Sequence, residues 1–163
     1  PRRGARPGSG GRRAHLTRGP SPGRVLGIDL GQRRIGLAVS DPDRTVASPD
    51  RVVTRSGDLP RDRRAIAEAA EEWGATLIVV GLPLSLDGTD GPAATAARAE
   101  ATKIGEVTGL PVETYDERFT TVTAQRSLAE QNVRGKDRRK VIDMVAAAVL
   151  LQAWLDRRHQ EPL

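Results

Sequence analysis

Short apolar runs separated by turn residues mark the sequence from about residue 24 onward. The runs within 24–29 and 34–40 are nearly unbroken, which is typical of buried strands. Gly31 lies between them and permits a tight turn, so the two runs predict a β-hairpin. A third extended stretch at about 45–53 follows at once. Three strands with such short connections predict an antiparallel meander.

Helical and extended patterns alternate through the rest of the chain. Helical spacing of apolar residues and capping signals predict helices at about 60–73, 92–107, 120–131 and 137–158. Apolar runs predict strands at 76–80 and 112–116, and the Gly- and Asp-rich segment 81–91 predicts a loop. The order favours an α/β fold: a mixed five-stranded sheet, with three antiparallel strands and then parallel strands, flanked by helices.

Single residues predict where the helices begin and end. Gly74 and Gly109 are expected to end the first two helices, because glycine readily adopts the left-handed conformation found there. Thr120 or Thr121 can cap the third helix at its start, and Asp137 is a candidate N-cap of the last.

Residues 1–23 differ from the rest in composition. They are rich in Arg, Pro, Gly and Ser and have almost no apolar residue, so they cannot bury enough surface to fold alone. We expect a disordered tail here, one domain at 24–158 and a short C-terminal tail at 159–163. The Arg-rich tail is either an electrostatic arm for polyanions or a solvated extension from an upstream start site.

The positive charge of the chain is concentrated in that tail. The net charge is +5, yet residues 1–24 contain seven Arg and no acid. The other residues hold 19 Lys and Arg against 21 Asp and Glu. The basic balance of the whole chain therefore does not predict a basic face on the domain.

Cysteine and histidine are too scarce for several common chemistries. The chain has no Cys, which excludes disulfides and thiolate zinc sites and fits a cytoplasmic location. His15 and His159 lie near the two ends, which argues against a His-based metal site or a Ser-His-Asp triad. No apolar stretch is long enough to predict a membrane-spanning helix. Any metal must then be held by carboxylates, which favours a hard ion such as Mg²⁺ or Mn²⁺.

Acidic residues occur at three positions where charge is costly. Asp29 ends the first buried strand, and Asp116 and Glu117 end the last strand. Asp143 lies about two turns into a final helix that is apolar nearly all round. The alternatives are ordinary ion pairs: Asp116 and Glu117 could pair with the adjacent Arg118, and Asp143 with Arg139 or Lys140 one turn earlier.

Carboxylates from three separate segments can converge on a pair of divalent cations. Two such ions would activate water and stabilise the leaving oxygen in phosphodiester hydrolysis. Because clustered carboxylates repel one another, at least one of them is expected to titrate abnormally without metal.

Cationic and hydroxyl residues flank every one of these acids and could hold phosphate oxygens. The candidates for nucleic-acid binding are Arg33, Arg34, Arg118, Thr120, Thr121, Arg134, Lys136, Arg139 and Lys140. The alternative for any one of them is a solvated surface charge. With two Trp, one Tyr and one Phe, the sequence does not indicate a base-stacking platform.

Four motifs in this order resemble the YqgF family, also called RuvX or the Holliday junction resolvase family. They read GIDLGQRRIGLAVSD, VVGLPLSLDGT, DERFTT and VIDMVAAAVLL. The resemblance covers about residues 24–158. It implies an RNase H-like fold and a metal-dependent nuclease, linked either to maturation of the 5′ end of pre-16S rRNA or to cleavage of branched DNA. It also implies a cytoplasmic monomer or homodimer.

The resemblance also implies which acids form the site. Asp29 matches the first-strand acid of the family and Asp143 the acid of the final helix. The middle acid falls in the DER motif, where Glu117 is favoured over its neighbour Asp116. Phe119 replaces the more usual leucine, and the Arg-rich tail lies outside the family pattern.

Two other classes compete with the nuclease interpretation. Actin-like ATPases share the first hairpin motif and the core of the fold, but they need two such domains and are far longer. A non-catalytic nucleic-acid or ribosome-assembly protein could keep the fold, although the presence of all three acids argues against lost catalysis.

Overall fold

A mixed five-stranded sheet forms the centre of the computed structural model, which describes residues 20–120 and 135–161. The strands are β1 (Arg24–Leu30), β2 (Arg34–Ser40), β3 (Ala47–Thr54), β4 (Ala75–Leu82) and β5 (Val112–Asp116). They lie in the order β3-β2-β1-β4-β5. The pairs β1–β2 and β2–β3 are antiparallel, and β1–β4 and β4–β5 are parallel. The predicted fold class is confirmed.

Three described helices flank the sheet: α1 (Leu59–Trp73), α2 (Pro92–Thr108) and α3 (Lys136–Gln160). The side chain of Asp58 accepts a hydrogen bond from the backbone of Arg61 and caps the start of α1. Gly74 and Gly109 end α1 and α2 in the left-handed conformation, as the sequence predicts. A single 3₁₀ turn, Glu117–Phe119, follows β5.

Several predicted boundaries are wrong. β4 continues through Leu82, so Gly81 belongs to a strand and not to a loop. The third strand begins at Ala47 because the carboxylate of Asp41 accepts hydrogen bonds from the backbone of residues 45 and 46 and holds them in a turn. Asp137 does not cap α3; Gly135 occupies the N-cap position without a side-chain hydrogen bond. The predicted helix at 120–131 and most of the predicted tail lie outside the described residues.

Each face of the sheet has its own apolar core. Alternate residues of β1 divide between them, as the two-residue period of a strand requires. Val25 packs with Leu77, Val79 and the apolar residues of α3. Leu26 and Ile28 pack on the opposite face with residues of α1 and α2. A residue's position along a strand therefore determines whether it faces α3.

Candidate active site

Asp29 lies near the end of β1 on the face that α3 covers. Val25 belongs to the α3 core, and a Cβ added to Gly27 would lie 2.8 Å from the Cβ of Leu151 in α3. Asp29 follows these two residues in the same two-residue period. It is only 2% exposed. A carboxylate this deeply buried has to be paired, protonated or bound to a cation.

Asp143 reaches the same place because Gly36 leaves room for α3. Gly36 is the partner of Asp29 across the antiparallel ladder, and directly opposite residues share a face. A Cβ on Gly36 would collide with the carbonyl oxygen of Asp143 and lie 2.8 Å from its carbonyl carbon. The backbone of Asp143 therefore rests on β2 next to Asp29.

Glu117 lies over the other neighbour of β1. Ile28 pairs with Val80, so Asp29 and Gly81 are the next residues along their strands. A Cβ on Gly81 would lie 2.8 Å from Oε1 of Glu117. Glu117 is 7% exposed. The three acids predicted from the sequence thus gather on one face of the sheet, around the end of β1.

The adjacent acids Asp116 and Glu117 have different environments. Arg118 donates to the Asp116 carboxylate from Nη2 at 2.6 Å and from its backbone N at 2.9 Å. The side-chain bond from Arg118, followed by its backbone bond, lowers the pKa of Asp116 despite partial burial. Burial, and then the charge of Asp116, raise the pKa of Glu117. Asp116 forms the ion pair considered as its alternative, and Glu117 occupies the position predicted for the middle acid.

Asp143 is paired with an arginine that sequence spacing did not indicate. Nε of Arg34 lies 2.5 Å from Oδ2 of Asp143, and the two side chains are 23% and 16% exposed. The described contact is therefore with β2, and not with Arg139 or Lys140 within α3. Arg34 was predicted to face nucleic acid; in this structure it holds a member of the acidic group.

The chemistry of these donors fits a hard divalent cation, because all three are carboxylates and two are buried. Their arrangement, however, does not yet surround a common metal position. Among the described residues, no group of three His, Cys, Asp or Glu side chains is arranged to hold a metal ion. At Asp143, Oδ2 accepts the bond from Arg34.

An open cavity of about 460 Å³ lies beside Asp143. Its lining residues are Gly31, Gln32, Arg33, Arg34, Arg139, Ile142 and Asp143. Three predicted nucleic-acid ligands, from the hairpin turn and from α3, therefore meet next to one of the acids. An arginine-lined cavity of this kind suits phosphate oxygens.

The remaining predicted nucleic-acid residues are more scattered. Arg118 donates from Nη1 to the carbonyl oxygen of Leu86, at 3.2 Å, and so ties the loop after β4 to Asp116. Thr120 donates its hydroxyl to the backbone oxygen of Glu117 at 2.7 Å. Lys140 is exposed on α3. Thr121 and Arg134 lie outside the described residues, and Lys136 is described only as the first residue of α3.

The sequence interpretation missed the three glycines that shape the site. Gly27, Gly36 and Gly81 all lie inside strands on the α3 face. A glycine inside a strand often marks a close approach of another backbone or side chain. For Gly27 and Gly36 the position inside a predicted strand was the available signal, whereas Gly81 was predicted to lie in a loop.

This sheet order, with helices on both faces, is that of the RNase H-like fold. The fold is similar to that of RuvC from T. thermophilus, solved in complex with Holliday junction substrate, with a TM-score of 0.55. The match covers 84% of this chain and 96% of that chain at 17% identity. The sequence model of the family described as "RuvX: Holliday junction resolvase" matches residues 23–157, and the chain belongs to this family.

Relatives of similar length support the same family. One from Anaeromyxobacter dehalogenans is 47% identical over 135 residues, covering 83% of this chain and 98% of the relative. One from Mycobacteroides abscessus is 45% identical over 142 residues, covering 86% of each. Both carry the name "Putative pre-16S rRNA nuclease". Family and relatives are named for phosphodiester hydrolysis, so the chain is a hydrolase of the nuclease class that acts on nucleic acid.

Nucleases of this family and fold generally depend on a divalent metal ion. Within residues 20–120 and 135–161, none of the helices has the length and apolar character needed to cross a membrane.

Proposed function

We propose that this chain cleaves precursor 16S rRNA near its 5′ end with a carboxylate-held pair of Mg²⁺ or Mn²⁺ ions. The observation that carries this proposal is the gathering of Asp29, Glu117 and Asp143 around the end of β1. The names of the relatives support an RNA substrate. An enzyme that acts on precursor rRNA during ribosome assembly would work in the cytoplasm, which is the location we propose.

The three carboxylates would hold the metal ions, which supply an activated water and stabilisation of the leaving oxygen. The carboxylates bring negative charges together in a buried region, where few water molecules can solvate them. Burial and the charge of Asp116 already disfavour the ionised form of Glu117. A cation relieves that penalty, so metal and carboxylates stabilise each other.

The cavity beside Asp143 is proposed to bind the phosphates that flank the cleaved bond. Arg33 and Arg139 reach it from the hairpin turn and from α3. Arg118 and Lys140, with Thr120, are proposed to contact the backbone further along. The roles predicted for Thr121, Arg134 and Lys136 remain predictions from the sequence.

Cleavage of branched DNA is the second candidate. It is favoured by the description of the matching family as a Holliday junction resolvase. A junction has two-fold symmetry, so a resolvase is expected to act as a homodimer, whereas RNA processing needs only a monomer.

A substrate panel separates the two candidates. Purified protein is incubated with 5′-extended 16S rRNA and with a four-way DNA junction, each with Mg²⁺ and with Mn²⁺, alongside Asp29→Asn. We expect the wild type to cleave the RNA in preference to the junction and the variant to cleave neither. Junction cleavage with no RNA cleavage would favour the second candidate. Equal cleavage by Asp29→Asn would reject the site itself.

A further inference from the structure

We infer that Arg34 is a built-in counter-ion of Asp143, which a divalent cation must displace. The inference rests on the proposed metal site. The contact is short, 2.5 Å from Nε of Arg34 to Oδ2 of Asp143, and joins residues 109 positions apart. Both side chains are largely buried. The pair is therefore part of the packing between β2 and α3, unlike an ion pair between two exposed side chains.

The strand geometry directs Arg34 to this position. Arg34 precedes Gly36 by two residues in β2, so both face α3. Gly36 brings the backbone of Asp143 onto the strand, and the carboxylate then lies within reach of the guanidinium. The carboxylate is 16% exposed and stands close to buried Asp29. Without a cationic partner, its ionised form would be costly there.

A cation and Arg34 compete for the same oxygen. A divalent ion binds through carboxylate oxygens, and Oδ2 of Asp143 already accepts a charge-assisted bond. Loading the site therefore requires that bond to break, which weakens the apparent affinity for metal.

Arg34 has a second position available next to the first. It already lines the arginine-rich cavity with Arg33 and Arg139, so a side-chain rotation would move its guanidinium from Asp143 to a phosphate there. Metal entry and phosphate binding would then favour each other, since both favour the position in which Arg34 has moved away from Asp143. The protein would thereby load metal most readily when substrate is present.

The test compares Mn²⁺ affinity in the full chain without nucleic acid, measured by electron paramagnetic resonance of the free ion. Arg34→Gln should bind Mn²⁺ about tenfold more tightly than the wild type, because the competing bond is gone. Arg33→Gln, which removes the same charge one residue away, should change the affinity much less. Arg34→Lys keeps a cation beside Asp143 and should stay close to the wild type.

Each other outcome overturns the inference. Unchanged binding by Arg34→Gln would mean that Arg34 does not compete with the metal ion. Weaker binding would mean that Arg34 instead positions Asp143 for the metal ion. An equal gain in Arg33→Gln would reduce the effect to overall charge. Circular dichroism confirms that the variants fold, and Arg34→Met, which also removes the guanidinium, carries the comparison if Arg34→Gln does not fold. Absence of Mn²⁺ binding by the wild type would instead reject the proposed metal site.

Discussion

Asp116 and Glu117 show how neighbouring residues of one type can acquire opposite proton affinities. The 3₁₀ turn after β5 directs Asp116 toward Arg118 and Glu117 into the buried site. Hydrogen bonds from Arg118 lower the pKa of Asp116, and burial raises that of Glu117. The DER motif indicated that one of the two belongs to the site. The resemblance favoured Glu117, and the direction of each side chain supports that choice.

The two acids should affect stability in opposite directions in metal-free protein. Glu117→Gln removes a carboxylate whose folded pKa is raised, so it should stabilise the fold at pH 7. That gain should vanish as the pH falls below about 4, where the wild-type group is protonated in both states. Denaturant unfolding from pH 3 to 8 with a chelator measures it.

Asp116→Asn is the matched comparison. The pKa of Asp116 is lowered in the folded protein, so its ionised form stabilises the fold at pH values above the usual carboxyl pKa. This contribution is lost on acidification. The variant should cost about 1 kcal/mol at pH 7 and progressively less at lower pH. A loss of stability in Glu117→Gln that matches Asp116→Asn at pH 7 would contradict the assigned environments.

The strand and helix pattern was largely predictable because apolar periodicity determines which elements can bury a face. The five strands, α1, α2 and the ends at Gly74 and Gly109 followed from local signals. The ion pair between Arg34 and Asp143 did not, since it joins two elements 109 residues apart. Helix spacing pointed instead to Arg139 or Lys140, whereas the ion pair described for Asp143 is with Arg34.

The helix α3 packs so closely on the sheet at Gly36 that there is no room for a side chain there. Gly36→Ala would place a Cβ against the Asp143 backbone, which cannot move without shifting α3. We expect a loss of about 1–3 kcal/mol in the free energy of unfolding, with weaker metal binding. Urea denaturation and Mn²⁺ titration measure the two effects.

Gly105→Ala provides the control for that substitution. This glycine lies inside α2, where a Cβ would meet the Val112 Cγ2 at 3.2 Å, a side-chain contact that can adjust. Alanine favours the helix by about 0.5–1 kcal/mol, so the variant should be neutral or slightly more stable. Equal losses in both variants would show that the approach of α3 to β2 is not special.

At the scale of the whole molecule, the excess of positive charge lies in the N-terminal segment, and the candidate site lies in the domain. Residues 1–19 contain six Arg, whereas the acids belong to the domain. Residues 21–23, predicted from sequence to belong to the tail, are bound to the domain: Gly23 donates from its backbone to Pro42, and Thr76 donates to Pro22. A truncation that spares these contacts should therefore end at residue 19.

Deleting residues 1–19 should weaken nucleic-acid binding and reduce its salt dependence while sparing the cleavage step. If every arginine there contacts a phosphate, the slope of log affinity against log salt should fall by up to about 4 for a single strand. Binding measured across a salt series, with single-turnover cleavage at saturating protein, separates the effects. An unchanged slope would show that the segment does not contact the substrate.

The central claim is that the acids around the end of β1 carry out metal-dependent cleavage. The most direct test is the single-turnover rate of cleavage of 5′-extended 16S rRNA with Mn²⁺, for the wild type and Asp29→Asn. Asp58→Asn, the same change at the N-cap of α1 where asparagine caps equally well, is the control. We predict a loss of about a hundredfold or more in Asp29→Asn and a wild-type rate in Asp58→Asn. A wild-type rate in folded Asp29→Asn would contradict the claim.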